Sequence, residues 1–172
     1  MLDDLSAEQV RALFTYDQQE GLLRWRYPAG MGGRFPAGSE AGFIHPEGYR
    51  YVRVNGRHYR ASRLIWLYVT GSWPQHQIDH INLNPGDDRW ENLRDATQSQ
   101  NKRNNRLRKD SSIGYKCVVY DRARDKYRWQ VVVDGKRRKS GKRFDTAAEA
   151  FADYQARLPE FHGEFANDGG PH

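Results

Sequence analysis

Gln77-Ile78-Asp79-His80-Ile81, continued by Arg89-Trp90-Glu91-Asn92-Leu93-Arg94 and Thr97-Gln98-Ser99-Gln100-Asn101-Lys102, is the stretch on which the reading of this chain turns. Ile78 and Ile81 are β-branched and flank a polar pair, so Gln77–Ile81 reads as a short strand. Asn82, Asn84, Pro85, Gly86, Asp87 and Asp88 are turn formers and end it. Leu93–Ala96 reads as a second strand. Thr97, with Gln100 three residues on, makes a capping box, which puts Asn101 in the first turns of a helix expected to lie across a two-strand ribbon. The Asp79 carboxylate and the Asn101 amide oxygen would then be hard donors for one divalent cation, Mg²⁺ or Mn²⁺ in preference to zinc. His80, beside a metal ligand, is the candidate general base, because an imidazole titrates near neutrality.

The whole ordered set, Asp79-His80-Ile81-Asn82 through Asp88–Arg94 to Asn101, resembles the HNH nucleases of phages and mobile elements, which are built on a ββα-metal core. The resemblance implies that His80 activates the water and that Asp79 and Asn101 hold the cation. It gives Asn92 a mainly structural part, hydrogen-bonding and fixing the loop, so the expected catalytic set is Asp79, His80, Asn92 and Asn101. Two departures stand out. Ser62, in Tyr59-Arg60-Ala61-Ser62-Arg63-Leu64, occupies a place where relatives often carry His, and Asp88 lies where many carry Asn. Neither removes an expected ligand or base. The segment up to Asn105 resembles the long form of this family.

At 172 residues the chain has room for one ordinary domain or two small ones. A hydrophobic share of 37% and a charged share of 29% fit a modest core. No apolar run approaches the roughly 20 residues needed to span a bilayer. Met1-Leu2-Asp3-Asp4-Leu5 is acidic where a secretory signal is basic and then apolar. The expected location is therefore the cytoplasm; a bacterial host, with the gene carried by a phage or mobile element, is what the resemblance implies. Cys117, the only cysteine, excludes an intramolecular disulfide and any zinc ribbon, and is expected to be a small buried residue. The net charge of +6 is unevenly spread. Asn101–Phe144 holds sixteen Lys or Arg against four Asp, so the remainder is acidic. That asymmetry suits a polyanionic partner.

The N-terminal part reads as scaffold. A helix is expected over Ser6–Thr15, a strand at Leu22–Tyr27, and a loop through Pro28–Gly38. Gly48–Val54 alternates into Asn55-Gly56, a hairpin signal, with His58–Arg60 returning. A helix follows from Ser62 or Arg63 to Val69. Trp25, Tyr51, Leu64, Ile65, Trp66 and Tyr68 are expected in the core. His45, His58 and His76 carry little signal, although His76 is close enough to the site to touch phosphate.

Beyond Ser111 the pattern changes. Tyr115–Tyr120, Tyr127–Val133 and Lys136–Arg143 read as strands, with Asp134-Gly135 as a hairpin turn. Thr146-Ala147-Ala148-Glu149 caps a helix carrying Ala150, Phe151, Tyr154 and Leu158. Tyr115-Lys116-Cys117-Val118, Lys126-Tyr127-Arg128-Trp129, Gly135-Lys136-Arg137 and Gly141–Ala150 together resemble an AP2-type DNA-binding domain, with Cys117 in place of the usual Gly and Ser140 in place of the usual Leu. The resemblance implies that the exposed face of the sheet enters the major groove.

The expected fold class is α+β: a ββα-metal core with an N-terminal α/β-hairpin scaffold, then a small three-stranded antiparallel sheet with a helix. The expected domains are residues 1–106 (core about 76–106), a basic linker 107–112, an AP2-like module 113–162 and a tail 163–172. Lys102, Arg103, Arg106, Arg108 and Lys109 are expected to track the DNA backbone. Arg122, Arg124, Arg128, Gln130, Lys136 and Arg137 are the candidates in the module. The expected partner is double-stranded DNA, cut one strand at a time by a monomer, with a dimer as the route to double-strand breaks. The competing readings are a non-catalytic AP2-type regulator and an RNA-binding or RNA-directed protein.

Overall fold

The computed structural model describes residues 5–103, 113–133 and 135–165, without the side chains of residues 102, 103, 162 and 164. Arg106, Arg108, Lys109, the linker 107–112, Asp134 and the tail from 166 lie outside the described residues, as do the side chains of Lys102 and Arg103. The chain forms two compact units, Met1–Gln98 and Ser99–His172. No helix among the described residues is long and apolar enough to cross a membrane.

In the first unit Ser6 caps α1 (Ala7–Leu13), its hydroxyl accepting from Gln9 N while the Gln9 side chain accepts from Ser6 N. The helix stops short of the expected Thr15. Phe14 turns extended and opens β1 (Phe14–Asp17), which pairs antiparallel with β2 (Leu22–Trp25), Phe14 opposite Trp25. Phe14, Thr15 and Tyr16 all favour strands, and the fully buried Phe14 ring meets Trp25 at 4.6 Å. Tertiary pairing overrides the helical spacing here.

β3 (Phe43–Ile44), β4 (Arg50–Val54) and β5 (Arg57–Arg60) form an antiparallel sheet in chain order. Asn55 and Gly56 both take positive φ, as a two-residue hairpin turn requires. α2 (Ala61–Thr70) follows directly and ends at Gly71, whose left-handed backbone returns its N–H to Leu67 O. β6 (Gln77–His80) and β7 (Leu93–Ala96) make a two-stranded ribbon with Asp79 opposite Arg94 and His80 opposite Leu93. Leu64, Ile65, Val10, Leu23 and Val52 are fully buried at the centre, with Trp25, Trp66 and Tyr68 packed around them. Tyr51 is the exception among the expected core residues. It shares the outer side of the β3–β5 sheet with Phe43.

α3 (Gln98–Arg103) comes directly after β7 and Thr97, and all of it from Ser99 on belongs to the second unit. β8 (Val118–Asp121), β9 (Lys126–Val133) and β10 (Lys136–Lys139) form an antiparallel sheet with β9 in the middle. β8 starts later than Tyr115 because Cys117 has φ +63, a left-handed conformation that interrupts a strand and that glycine takes at least cost. Cys117 is half-buried rather than buried. β10 ends at Lys139 instead of Arg143, just before Gly141. Phe144 then rejoins the sheet as an isolated bridge to Tyr127. Thr146 caps α4 (Ala147–Gln155). Leu158 belongs to a separate short helix, α5 (Leu158–His162), with Pro159 in its first turn. Trp129, Ala150 and Tyr154 form the heart of this second core.

Gly21 ties the first hairpin to the loop after β6. Its φ is +71, and a Cβ there would stand 2.5 Å from Arg89 N and 2.7 Å from the Asp88 carbonyl carbon. Gly21→Ala is expected to destabilise the protein by about 2–4 kcal/mol, from left-handed strain plus displacement of that backbone, as read by urea unfolding.

Candidate active site

Three side chains at the end of the β6–β7 ribbon are buried although they are polar. Asp79, His80 and Asp88 are each 5% exposed or less. Buried polar groups need partners, and these have them. The Asp79 carboxylate accepts from Arg94 Nε at 2.8 Å, with Arg94 Nη2 also 2.8 Å from the same oxygen. The strand register places these two residues opposite one another, so the ion pair crosses the ribbon. His80 Nε2 lies 2.8 Å from Asp88 Oδ1. The Tyr49 ring stands against the His80 ring, with centroids 5.9 Å apart.

The loop between the strands is tied together by its own side chains. Asn92 Oδ1 accepts from Asn82 N at 2.9 Å, and Asn92 Nδ2 donates to Asn82 Oδ1 at 3.0 Å and to Asp87 O at 2.7 Å. Asn82 and Asn84 each fold back onto the backbone two residues ahead, as asparagines do in turns. The Asp87 carboxylate takes both Arg89 Nε and Nη2, at 2.8 and 2.7 Å, and the Asn82 amide at 2.7 Å. These bonds, the Arg89 pair foremost, hold the Asp87 carboxyl down at about 2. The loop is also pinned from outside. Tyr16 Oη donates to Asp88 O at 3.0 Å, and burial pushes that phenol up to about 12. A Cβ on Gly48 would sit 2.7 Å from Pro85 Cγ, so glycine lets the turn before β4 close on the loop.

Asp88 is the residue that sequence reasoning passed over. It was visible only as an acid where relatives often carry Asn; its contact with His80 spans eight residues and depends on the loop closing. Burial pushes the Asp88 carboxyl above its ordinary value, while the bond to His80 and the charges of His80 and Arg50 pull it back.

Asn101 lies half-buried in α3. Among the described residues no cluster of three His, Cys, Asp or Glu forms a ready-made metal cage. The expected donors, one carboxylate and one amide oxygen, nonetheless have the hard chemistry that Mg²⁺ or Mn²⁺ takes. His76 Nδ1 stands 3.5 Å from Asp95 Oδ1, whose two oxygens also accept from the Gln75 and His76 backbone N–H groups and fix the start of β6.

In the module, Trp129 faces the core, so Arg128 and Gln130 point to the other side of the sheet. The register adds Arg137, opposite Val132, and Lys139, opposite Gln130. Lys139 was missed because only the register reveals its face. Lys136, opposite Val133, has the core-side alternation but stays exposed on the edge strand. Arg122 and Arg124 sit in the β8–β9 turn, where Arg124 pairs with Asp121 at 3.7 Å. Arg128 Nε is buried with no hydrogen-bond partner among the described residues.

Two stability predictions follow from these contacts. Asp88→Ala leaves the buried His80 Nε2 without this partner and is expected to cost about 1–3 kcal/mol in urea unfolding, whereas Asp88→Asn, which keeps an acceptor, costs less. For Asp87, a folded-state value of about 2 lies below the ordinary 3.8, so its stabilisation is complete above 3.8 and lost as pH falls toward 2. The wild type should exceed Asp87→Asn by about 1 kcal/mol at neutral pH, a figure kept low because Arg89 is partly solvated. Acid titration of unfolding should show that gap closing toward pH 2.

Residues 59–107 match the HNH endonuclease family. The chain is also similar to Protein 3.8 of Escherichia phage T7, 32% identical over 103 residues that cover 59% of this chain and 84% of that protein. No solved structure matches significantly. The matched segment runs from β5 through α2, the β6–β7 ribbon and its loop into α3, and so takes in Asp79, His80, Asp88, Asn92 and Asn101. The chain belongs to the HNH endonuclease family.

Proposed function

We propose that this protein is a divalent-metal-dependent DNA endonuclease that nicks one strand at a time, in the manner of a homing-type HNH enzyme. The observation that carries this reading is His80, held by Asp88 at the end of β6, next in sequence to Asp79 and inside the segment that matches the family. With Asp88 ionised, Nε2 of His80 carries the hydrogen and Nδ1 the lone pair. Nδ1 takes a proton from water, and the oxygen attacks the backbone phosphorus. The bond from phosphorus to the 3′-oxygen breaks, which leaves 5′-phosphate and 3′-hydroxyl ends. Asp79, oriented by Arg94, and Asn101 would hold one Mg²⁺ or Mn²⁺, whose charge supports the phosphate oxygens and the departing 3′-oxygen. Asn92 and Asp87 keep the loop closed, so that Asp88 stays on His80.

One base and one cation serve one phosphodiester, which makes nicking by a monomer the default. Lys102 and Arg103 end the helix that bears Asn101, Arg106, Arg108 and Lys109 come after it in sequence, and all five would track the backbone. The C-terminal module would add recognition in the AP2 manner. Arg128, Gln130 and Arg137 share one face of a three-stranded sheet backed by α4, an arrangement that supports the reading. Arg122, Arg124 and Lys136 would contact phosphates from the turn and the edge.

Supercoiled plasmid tests the proposal. With Mg²⁺ or Mn²⁺ the wild type should give open circles, EDTA should abolish them, and His80→Ala and Asn101→Ala should each lose at least about a hundredfold in rate. A wild type that binds a substrate containing its preferred site yet leaves it intact with every metal would sink the nuclease and leave a DNA-binding regulator.

A further inference from the structure

Arg60 stands in an unusual place for a charged side chain. It is half-buried, and no carboxylate pairs with it among the described residues. Its guanidinium instead lies 4.1 Å above the Tyr49 ring, and its Nε donates to Tyr51 Oη at 3.2 Å. No hydrogen-bond partner of its two terminal nitrogens occurs among the described residues. Half-burying a charge without a counter-ion is unfavourable, and a cation–π contact offsets only part of that. The planar donors of the guanidinium fork match a phosphate. Tyr49 carries Arg60 on one contact and the His80 ring on another, so the anion-seeking group is one aromatic ring away from the candidate base.

The same side of the sheet extends this feature. Val52 and Val54 face the core, so Tyr51 and Arg53 face out, together with His58, Arg60 and Phe43 at their register positions. Phe43 is 47% exposed, stacks toward Tyr51 at 6.4 Å and meets His58 edge-on at 5.7 Å. Arg53 and His58 are exposed. Two carboxylates near these strands in the chain lie beside other cations: Glu40 is 3.4 Å from Arg50, and Glu47 is 3.9 Å from His45. Rings alternating with unneutralised cations suit a strand of nucleic acid, whose phosphates need positive charge and whose bases offer faces to stack.

We propose that the outer face of β3–β4–β5 is the bed for one DNA strand on its way to His80, with Arg60 gripping a phosphate and Phe43 stacking an unpaired base. The proposal rests on the nuclease reading for its direction of travel, but binding can be measured without cleavage.

The test is fluorescence anisotropy with a labelled single-stranded oligonucleotide in EDTA, titrated across salt concentrations, for wild type, Arg60→Ala, Phe43→Ala and Phe43→Tyr. Arg60→Ala should weaken binding and shrink the slope of log affinity against log salt by about one, the signature of a lost phosphate contact. Phe43→Ala should weaken binding about fivefold or more with the slope unchanged, and Phe43→Tyr should restore it. If Arg60→Ala unfolds early in urea, Arg53→Ala, exposed on the same face, takes its place. Variants that fold normally and bind with wild-type affinity and slope would overturn the strand bed, whatever the plasmid result. Weakened binding in a protein that never nicks plasmid would overturn the nuclease reading and leave the bed standing.

Discussion

Two adjacent polar residues, Asp79 and His80, are buried at the end of a ribbon only two strands wide, and most of the first unit serves that constraint. A two-stranded ribbon is marginal alone in water, and an unpartnered buried carboxylate or imidazole would unfold it. Arg94 answers Asp79 across the ribbon and Asp88 answers His80 from the loop. The loop in turn depends on Asn92 and Asp87, and on Gly21 and Gly48, which allow two other turns to close on it. The scaffold ahead of the site is therefore more than a platform: the hairpin β1–β2 and the turn before β4 set where Asp88 stands.

The elements that could be read from the sequence are those whose signals are local. The Asn55-Gly56 turn, the caps at Ser6 and Thr146, and the Gly71 stop each lie within a few residues of the structure they specify. The β6 and β7 strands were legible from flanking turn formers and β-branched residues. What was not legible is pairing over distance. Phe14 satisfies a helical spacing from Val10, yet the opportunity to bury its ring against Trp25 takes it into a strand. Tyr51 is out of step with Val52 and Val54, and with apolar residues on both faces of β4 its size alone suggested a core place that the sheet gives to the valines. Lys139 needed the β9–β10 register.

The candidate site divides along the same line. Asp79, His80, Asn92 and Asn101 stand out by type and order, whereas Asp88 matters through a contact that forms only once the loop has folded. An acid in place of an amide changes the chemistry available to the imidazole. An ionised carboxylate can only accept and so keeps the hydrogen on Nε2, while an amide can either accept or donate. Burial of Asp88 and its attraction to His80 oppose one another, so the pair is held in balance by the closed loop.

Successive residues of a strand leave opposite faces of a sheet, which separates Asp79, the candidate ligand, from His80, the candidate base. The strand gives way to the loop directly after them. β6 ends at His80, and beyond it Leu83 N–H already returns to His80 O in a turn, with Leu83 itself at φ +62. His80 still stands opposite Leu93 in the ribbon, and Asp88 and Tyr49 hold its ring where the strand gives way to the loop. A carboxylate and an imidazole side by side at a strand end, each with its own buried partner, are fixed in place by the fold itself. That also explains why so many side chains of the loop are spent on holding its own shape.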